Sequence, residues 1–233
     1  MYQRRSPPGF GKPSASDSSV RKPRGKPAGK AVNKPLKRPA QARAKFTVQA
    51  IYDAFVRIWR DRGWAGVTTR AIALETGISV GTLYDYFPNK HALLSGYVRH
   101  TMDVLLEAIE QQVIQATGLT WRERVHRLVR LTCGIDVAEL AYFDADMLAL
   151  ETQIAEPKHH RRVYEEMSAK WLSAFDACTD LPYRPEPDTV RALYLSIWGA
   201  RRYYWLLVDP PDISAGKWAA EMEKLCCAVL EKK

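Results

Sequence analysis

The chain lacks most of the sequence features that identify enzymes, metal proteins and membrane proteins. Its 233 residues include four cysteines, and none of them has the Cys-X-X-Cys spacing of a zinc site. No apolar run is long enough to cross a bilayer. Gly-rich phosphate loops, nucleophile elbows, His-Glu-X-X-His motifs and clustered carboxylate pairs are missing as well. We therefore expect no catalytic residues, no metal, no cofactor and no membrane partner.

The few thiols and imidazoles do not form an evident site. Cys226 and Cys227 are adjacent in a helical pattern and point to different faces, which disfavours a disulfide between them. Sparse cysteines are typical of a reducing cytoplasm, where one redox-sensing thiol remains an alternative. His159 and His160 would point about 100° apart on a helix. A solvated helix start therefore explains these histidines better than a metal or anion site.

Acidic residues are nearly absent from the first part of the chain. Residues 1–45 hold 13 of the 35 Lys and Arg residues and a single acid, Asp17, which gives a net charge of +12. The remainder carries 22 basic and 25 acidic residues, so the overall charge of +9 comes from this segment. It also holds 7 of the 14 prolines and few large apolar residues. We expect a disordered basic tail and not a secretory signal, since no apolar run follows the early arginines.

Strand patterns are almost absent, and apolar residues recur at helical spacing instead. In residues 46–62, for example, Val48, Ile51, Phe55 and Ile58 share one face. A loop is predicted at 180–188, because its three prolines cannot lie inside a helix. Further helices are predicted over residues 90–115, 121–132, 136–155, 157–175, 189–208 and 214–230. The predicted fold class is all-α.

Residues 68–94, TTRAIALETGISVGTLYDYFPNKHALL, predict two short helices joined by a tight turn and followed at once by a third helix. Thr68 or Thr69 can cap the first helix, and Gly77 can end it in the left-handed conformation. Ser79 is a favourable N-cap for the second helix. This is the helix-turn-helix pattern, in which the N-terminal residues of the second helix meet base edges in DNA.

The residues that follow the turn favour DNA binding over a buried hairpin. Small residues at the start of the second helix allow its backbone to approach a groove, and Tyr84 and Tyr86 offer hydroxyls to phosphate. Asn89 caps the third helix, and Lys90 lies in its first turn, where free N–H groups favour an anion. An ordinary helical hairpin in a core would not place Gly, Ser and Thr together ahead of exposed tyrosines and a lysine.

The segment RGWAGVTTRAIALETGISVGTLYDYFPNKHALL resembles the N-terminal domain of TetR-type (TetR/AcrR) transcriptional regulators, and the resemblance covers roughly residues 46–95. The positions that match the family pattern are Gly63, Thr68, Ile72, Ala73, Gly77, Ser79, Gly81, Leu83, Tyr84, Tyr86, Phe87, Lys90 and Leu93. The candidate DNA contacts are Thr68, Thr69, Arg70, Ser79, Val80, Gly81, Thr82, Tyr84, Tyr86 and Lys90. The resemblance implies phosphate contacts from Thr68, Lys90 and the two tyrosines, with residues 79–82 in the major groove.

Two positions depart from the family pattern. Val80 replaces a residue that is commonly polar or basic, and it could contact a thymine methyl group. Asp85 replaces a neutral or basic residue and would repel phosphate, so we expect it to point away from the DNA backbone or to pair with a neighbour. These departures leave the base preference open.

The basic tail has two interpretations. As a flexible arm, it would follow DNA phosphates or enter a minor groove beside the site, and counterion release would add affinity without sequence preference. Alternatively, it is a solvated extension, or in part a misassigned translation start. The first interpretation is favoured because the tail joins the DNA-binding domain directly.

The last two predicted helices are apolar on most sides, so a second subunit is expected to cover part of them. In TetR-type regulators such helices commonly form a four-helix dimer interface. The candidate interface residues are Tyr194, Trp198, Trp205, Trp218, Met222 and Leu225. A thick monomeric core is the alternative. A dimer would present two recognition helices about 34–36 Å apart, which predicts a near-palindromic operator.

The middle helices are rich in aromatic residues and are expected to enclose a pocket for a small, largely apolar effector, as the family resemblance implies. Candidate ligand-binding residues are Tyr142, Phe143, Glu151, Trp171, Phe175, Trp198 and Arg201, with Gln153, Tyr164 and Tyr203 as further members of this region. For any single aromatic residue, a place in the core is the simpler interpretation. The effector would shift the helix that begins at Lys90 and loosen DNA binding.

Together these patterns predict a disordered tail at 1–45, a three-helix DNA-binding domain at 46–92 and a larger helical effector-binding and dimerisation domain at 93–233. The predicted protein is a sequence-specific transcriptional regulator, by family default a repressor, in a bacterial cytoplasm and on the nucleoid when bound. Its partners are double-stranded operator DNA, a second copy of itself and the effector. A nonspecific architectural protein that binds through its tail is the alternative, and an enzyme is a weaker one.

Overall fold

The computed structural model describes residues 42–137, 145–205 and 214–231, and these residues form helices and the loops between them. The described helices are α1 (Ala42–Gly66), α2 (Thr69–Thr76), α3 (Val80–Tyr86), α4 (Lys90–Ile109), a π-helical turn (Glu110–Ile114), α5 (Trp121–Thr132), α6 (Ala145–Ala149), α7 (Glu151–Ile154), α8 (Pro157–Asp176), α9 (Pro187–Trp205) and α10 (Ala215–Leu230). No strand occurs within these ranges, so the all-α prediction is confirmed.

Local capping explains where the N-terminal helices begin and end. The Thr68 side chain accepts a hydrogen bond from the N–H of Ala71 at 3.0 Å, and Ser79 does the same for Thr82. Gly77 ends α2 with φ of 70°, a conformation that other residues adopt only with strain. Asn89 caps α4 through the N–H of Ala92 at 2.8 Å. The predicted turn at 77–79 is therefore confirmed.

Two helix starts differ from the prediction. α1 begins at Ala42 and not at 46, so residues 42–45 are helical although they were assigned to the tail. Ala, Arg and Lys are strong helix formers, which accounts for the earlier start. α9 begins at Pro187 and not at Thr189, because proline is well suited to the first position of a helix. Residues 138–144 of the helix predicted over 136–155 lie outside the described residues.

The first core cluster joins α1, α2, α3 and the N-terminal part of α4. Phe55, Leu83, Phe87 and Leu94 are almost fully buried there. Residues from α6 and α7 also belong to this cluster, including the buried Met147. The DNA-binding domain predicted for 46–92 therefore packs on helices much later in the chain.

The second core cluster joins the remainder of α4 with α5, α8, α9 and α10. Leu105 and Ile109 continue α4 into this cluster, so the helix runs through the predicted boundary at 92/93 without a break. Buried Arg124 donates hydrogen bonds to the carbonyls of Ile114 and Ala116, at 3.3 and 3.1 Å, and so satisfies the end of the π-helical turn. α4 is thus one continuous connection between the two clusters.

None of the helices in the described ranges combines the length and apolar character that a bilayer-spanning segment requires.

Candidate nucleic-acid interface and internal cavity

α3 is held from beneath and presents its other side to solvent. Leu83 is fully buried, and Phe87 directly after the helix is 2% exposed. Ser79, Val80 and Gly81 are exposed at the N-terminal end, and Tyr84 is exposed one turn later. This arrangement leaves the start of α3 open to a macromolecular partner while its far side is fixed in the core.

Hydrogen bonds between side chains order the polar groups on this surface. The hydroxyls of Ser79 and Thr82 lie 2.9 Å apart. The hydroxyls of Thr69 and Tyr84 lie 3.4 Å apart and connect the start of α2 to the exposed side of α3. Arg70 is exposed beside Thr69, and Tyr86 is half-buried. Asp85 is exposed as well, on the part of α3 that follows Tyr84.

Lys90 is positioned by Trp64. Its ammonium group lies 4.2 Å from the centre of the Trp64 ring and donates to the Trp64 carbonyl at 3.4 Å. The Trp64 ring in turn packs on Trp59 at 5.9 Å. An aromatic face attracts a cation without forming an ion pair with it, so the Lys90 ammonium group is held at the start of α4, where it can bind an anion.

The sequence analysis missed a contribution from the first turn of α1. Arg43 and Thr47 line a polar depression together with Ser79, Thr82 and Tyr86. Thr47 is fixed by donating its hydroxyl hydrogen to the Arg43 carbonyl at 3.0 Å. The high helix propensity of residues 42–45 could have indicated that α1 begins at this point, but these residues were assigned to the tail.

A cavity of about 360 Å³ lies among α4, α6, α7, α8 and α9. Its volume is in the range of small-molecule sites. Its walls are mainly apolar, and the lining residues are Val98, Thr101, Met102, Leu148, Glu151, His160, Val163, Tyr164, Tyr194, Leu195, Trp198, Arg201 and Arg202. Leu195 and His160 are exposed at its rim, whereas Leu148 and Tyr194 are buried.

The charged groups of the cavity differ in how they are compensated. Glu151 Oε1 lies 3.4 Å from His160 Nδ1, and Glu151 Oε2 forms an ion pair with Arg202. Arg201 is 6% exposed, and its Nε–H has no hydrogen-bond acceptor. Burial lowers the pKa of Arg201 to about 10, which still leaves the side chain charged at neutral pH.

One segment of the chain matches a known protein family. Residues 51–96, from the middle of α1 to the start of α4, match the family model described as "Bacterial regulatory proteins, tetR family". The chain carries a TetR-family N-terminal domain. The recognition made from residues 46–95 is thereby confirmed.

A curated transcriptional regulator is similar to part of the chain. The transcriptional regulator BetI of Rhizobium meliloti is 31% identical over 107 residues, which are 46% of this chain and 47% of the relative. The chain thus matches about half the length of this curated relative.

Solved structures, including that of a TetR-family repressor, resemble the described fold. The repressor AlkX from Dietzia matches 79% of this chain and 95% of its own, with 19% identity and a TM-score of 0.53. AibR, solved with isovaleryl coenzyme A and operator DNA, matches 77% of this chain and 97% of its own, with 18% identity and a TM-score of 0.52. These likenesses show the fold: an N-terminal helix-turn-helix domain and a C-terminal helical domain.

The ligand residues expected from the TetR resemblance separate into three groups. Glu151, Trp198 and Arg201 line the cavity. Trp171 and Phe175 lie in the core and not in the cavity wall, and the indole N–H of Trp171 donates to Thr132 at 3.2 Å. Tyr142 and Phe143 lie outside the described residues. The contributions of α4 to the cavity were not expected, since only tertiary packing brings α4 beside α9.

The expected dimer residues are also divided. Tyr194 is buried within its own chain and lines the cavity, as does the half-buried Trp198. Trp218 stacks on Tyr204 with ring centres 6.4 Å apart. Met222 packs partly on the second core cluster, and the side chain of Trp205 is outside the described set. Exposed apolar side chains on α9 and α10 are Leu195, Tyr203 and Leu225.

Proposed function

We propose that this protein is a sequence-specific DNA-binding transcriptional regulator, a repressor that a small molecule releases from a near-palindromic operator. One observation supports this most directly: α3 exposes Ser79, Val80 and Gly81 while Leu83 fixes the helix in the core. The proposed activity is binding and not catalysis. The proposed location is the bacterial cytoplasm, on the nucleoid when bound.

In the proposed complex the start of α3 enters the major groove. Gly81 has no side chain, so the helix backbone can approach base edges closely, and the Val80 side chain is 39% exposed and available to a thymine methyl group. Thr82 is half-buried beside them. Residues that neighbour α3 would bind phosphate and set its orientation. These are Thr68, Thr69, Arg70, Tyr84, Tyr86 and Lys90.

A second copy of the chain is the proposed partner of α9 and α10. Leu195 and Tyr203 on α9 and Leu225 on α10 are each roughly half or more exposed, and exposed apolar surface is typical of protein–protein contact sites. The same two helices carry the residues that would complete the interface, Trp198, Trp205, Trp218 and Met222. Tyr194 is buried within its own chain and would support this surface from inside. Two-fold symmetry would then place the two copies of α3 on successive turns of DNA.

Release by an effector is supported by the helices that surround the cavity. Val98 and Met102 of α4 line it, and the same helix begins at Lys90 beside the DNA-binding unit. Leu148 and Glu151 also line it, while Met147 and Ile154 of the same short helices belong to the first core cluster. An occupant that prefers one arrangement of these helices would shift the DNA-binding unit. AibR, solved in complex with both isovaleryl coenzyme A and operator DNA, is an example of a similarly folded protein that binds a small molecule and DNA.

Two substitutions test the proposed contacts. Tyr84→Ala and Lys90→Ala should each weaken operator binding several-fold, because each removes a phosphate contact worth on the order of 1 kcal/mol. Lys224→Ala on α10 is the matched control for charge, since Lys224 is exposed and pairs with Glu221. Fluorescence anisotropy measures affinity, and ultracentrifugation checks the dimer. Unchanged affinity in both variants would contradict the assigned contacts.

Deleting residues 1–41 distinguishes a sequence-specific regulator from a nonspecific architectural protein that binds DNA through its tail. This tail carries most of the positive charge of residues 1–45, and its removal leaves α1 intact. We expect weaker binding and a smaller dependence on salt, with the preference for the operator retained. Loss of all DNA binding together with the tail would favour a nonspecific architectural protein instead.

A further inference from the structure

We propose that the effector carries a carboxylate, which binds Arg201 inside the cavity, and an apolar body of about six to ten carbons. The proposal rests on the proposed function and specifies the class of molecule that releases the protein from DNA. It replaces the expectation of a largely apolar effector with that of an amphipathic monoanion.

The state of Arg201 is the first argument. It lines the cavity and is 6% exposed, and its Nε–H has no acceptor. No acid pairs with it among the described residues, while its guanidinium lies 5.3 Å from the centre of the Trp198 ring. A buried charge without a partner destabilises a fold considerably, and a ligand anion would remove this cost.

Gly134 leaves room for the guanidinium group of Arg201. A Cβ atom at this position would be 2.6 Å from Arg201 Nη2. The guanidinium therefore lies close to both Gly134 and the Trp198 ring, and neither neighbour supplies an anion.

The other charged residues of the cavity favour a ligand that carries a single negative charge. Glu151 is already paired with Arg202, so Arg201 is the cavity arginine without an acidic partner among the described residues. The planar fork of a guanidinium matches a carboxylate in two parallel hydrogen bonds. A phosphate monoester carries about −1.5 to −2 charges at pH 7, and one buried arginine would leave part of that charge uncompensated.

The remaining walls define the body of the ligand. Val98, Met102, Leu148 and Val163 are apolar, and Tyr164 and Tyr194 add aromatic faces. The cavity of about 360 Å³ lies near the lower end of the range for small-molecule sites. A cavity of that size suits a small ligand, such as a carboxylate with a short chain or a single ring.

Isothermal titration calorimetry without DNA tests the proposal. The probes are straight-chain carboxylates of six to ten carbons, the primary amides of the same length and the corresponding alkyl phosphates. We expect wild-type protein to bind at least one carboxylate roughly 10- to 100-fold more tightly than its amide and its phosphate. Equal affinity for the acid and the amide, a preference for the phosphate, or no measurable binding of any carboxylate would each overturn the proposal.

Variants then assign the preference to Arg201. Arg201→Met should lose the preference for carboxylate over amide and retain affinity for the amide, because the apolar walls are unchanged. Arg191→Met is the matched control on the same helix, since Arg191 pairs with Asp188 and does not line the cavity. A preference that persists in Arg201→Met would contradict the assignment. If this variant does not fold, the affinities of the wild-type protein for the acid and the amide still test whether the cavity prefers a carboxylate.

Different experiments test the proposed function and the proposed ligand class. Operator binding depends on α3 and is measured without ligand, whereas the calorimetry contains no DNA. If the preferred carboxylate binds but does not weaken operator binding, the site exists and the proposed release mechanism is wrong. If carboxylates do not bind and the operator is recognised, the function stands and the ligand class is wrong.

Discussion

Burial determines which side chains of this protein can react or carry charge. Cys133 and Cys226 are 5% and 0% exposed, and burial raises the pKa of each thiol to about 12. Arg201 is equally buried, yet it stays charged at neutral pH because the ordinary pKa of arginine is so high. The sequence showed the types of these residues but not their surroundings, so a redox-sensing thiol stayed open until the structure placed both of them in the core.

The buried thiols should be unreactive in the folded protein. At pH 8 we expect iodoacetamide to modify Cys133 and Cys226 at least tenfold more slowly than in the urea-unfolded chain, because only the thiolate attacks. Half-buried Cys227 is the internal comparison and should react faster than its neighbour. Mass spectrometry of quenched samples measures the rates. Rapid modification of Cys133 without unfolding would show that its site opens to solvent.

The same raised pKa values predict a loss of stability at alkaline pH. In the unfolded chain the thiols lose protons near pH 8.5, whereas folded Cys133 and Cys226 keep them up to about pH 12. Their contribution to the free energy of unfolding is therefore complete below pH 8.5 and declines by about 1.4 kcal/mol per pH unit for each thiol above it. Urea denaturation from pH 8 to 10 measures this slope, and a Cys133→Ala, Cys226→Ala double variant should have a shallower one. Equal slopes would refute the assigned burial.

At the scale of elements, helix ends were predictable and tertiary contacts were not. The side chains of Thr68, Ser79 and Asn89 each accept a hydrogen bond from a backbone N–H three residues later. Each cap is therefore defined by residues that are close together in the sequence. The cavity combines residues from α4, α6, α7, α8 and α9. Hydrophobic periodicity shows that a helix has an apolar face, but not whether that face meets another helix or a space between helices. Trp171 and Glu151 were therefore equally plausible pocket residues, and only Glu151 lines the cavity.

Two glycines of the helix-turn-helix unit should respond oppositely to alanine. Gly77 has φ of 70° and open space around it, so Gly77→Ala should lower the free energy of unfolding by about 1–2 kcal/mol through backbone strain alone. Gly81 lies in α3, where a Cβ would contact only Ser79 Oγ at 3.6 Å. Gly81→Ala should keep or raise stability by up to about 1 kcal/mol and weaken operator binding, since the methyl group stands between α3 and the groove.

Chemical denaturation and anisotropy on the same preparations separate the two effects. Gly77→Ala, measured at a temperature where it is folded, should bind the operator nearly as well as the wild type. The opposite pattern, with binding lost at Gly77 and kept at Gly81, would mean that the turn and not the start of α3 forms the DNA surface.

At the scale of the whole molecule, α4 and the short helices α6 and α7 connect the surface to the cavity. α4 contributes to both core clusters, and α6 and α7 place some residues in the cavity wall and others in the cluster under α3. The helix-turn-helix domain was predictable from local sequence, since its caps, its glycine turn and the exposed Tyr84 lie within 27 residues, 68–94. The connection between this domain and the cavity was not predictable from local sequence. It depends on residues 147–154, which pack against a domain that ends about fifty residues earlier in the chain.

The most direct test of the central claim is the selection of bound duplexes from a random pool by the full-length protein. We predict enrichment of an inverted repeat whose half-sites lie about one helical turn, roughly 10 base pairs, apart. Selection with Gly81→Ala or Val80→Ala should change the enriched bases within each half-site and leave the spacing intact. A pool that shows no enriched sequence, or the same sequence for the wild type and both α3 variants, would contradict the assignment of α3 as the recognition helix.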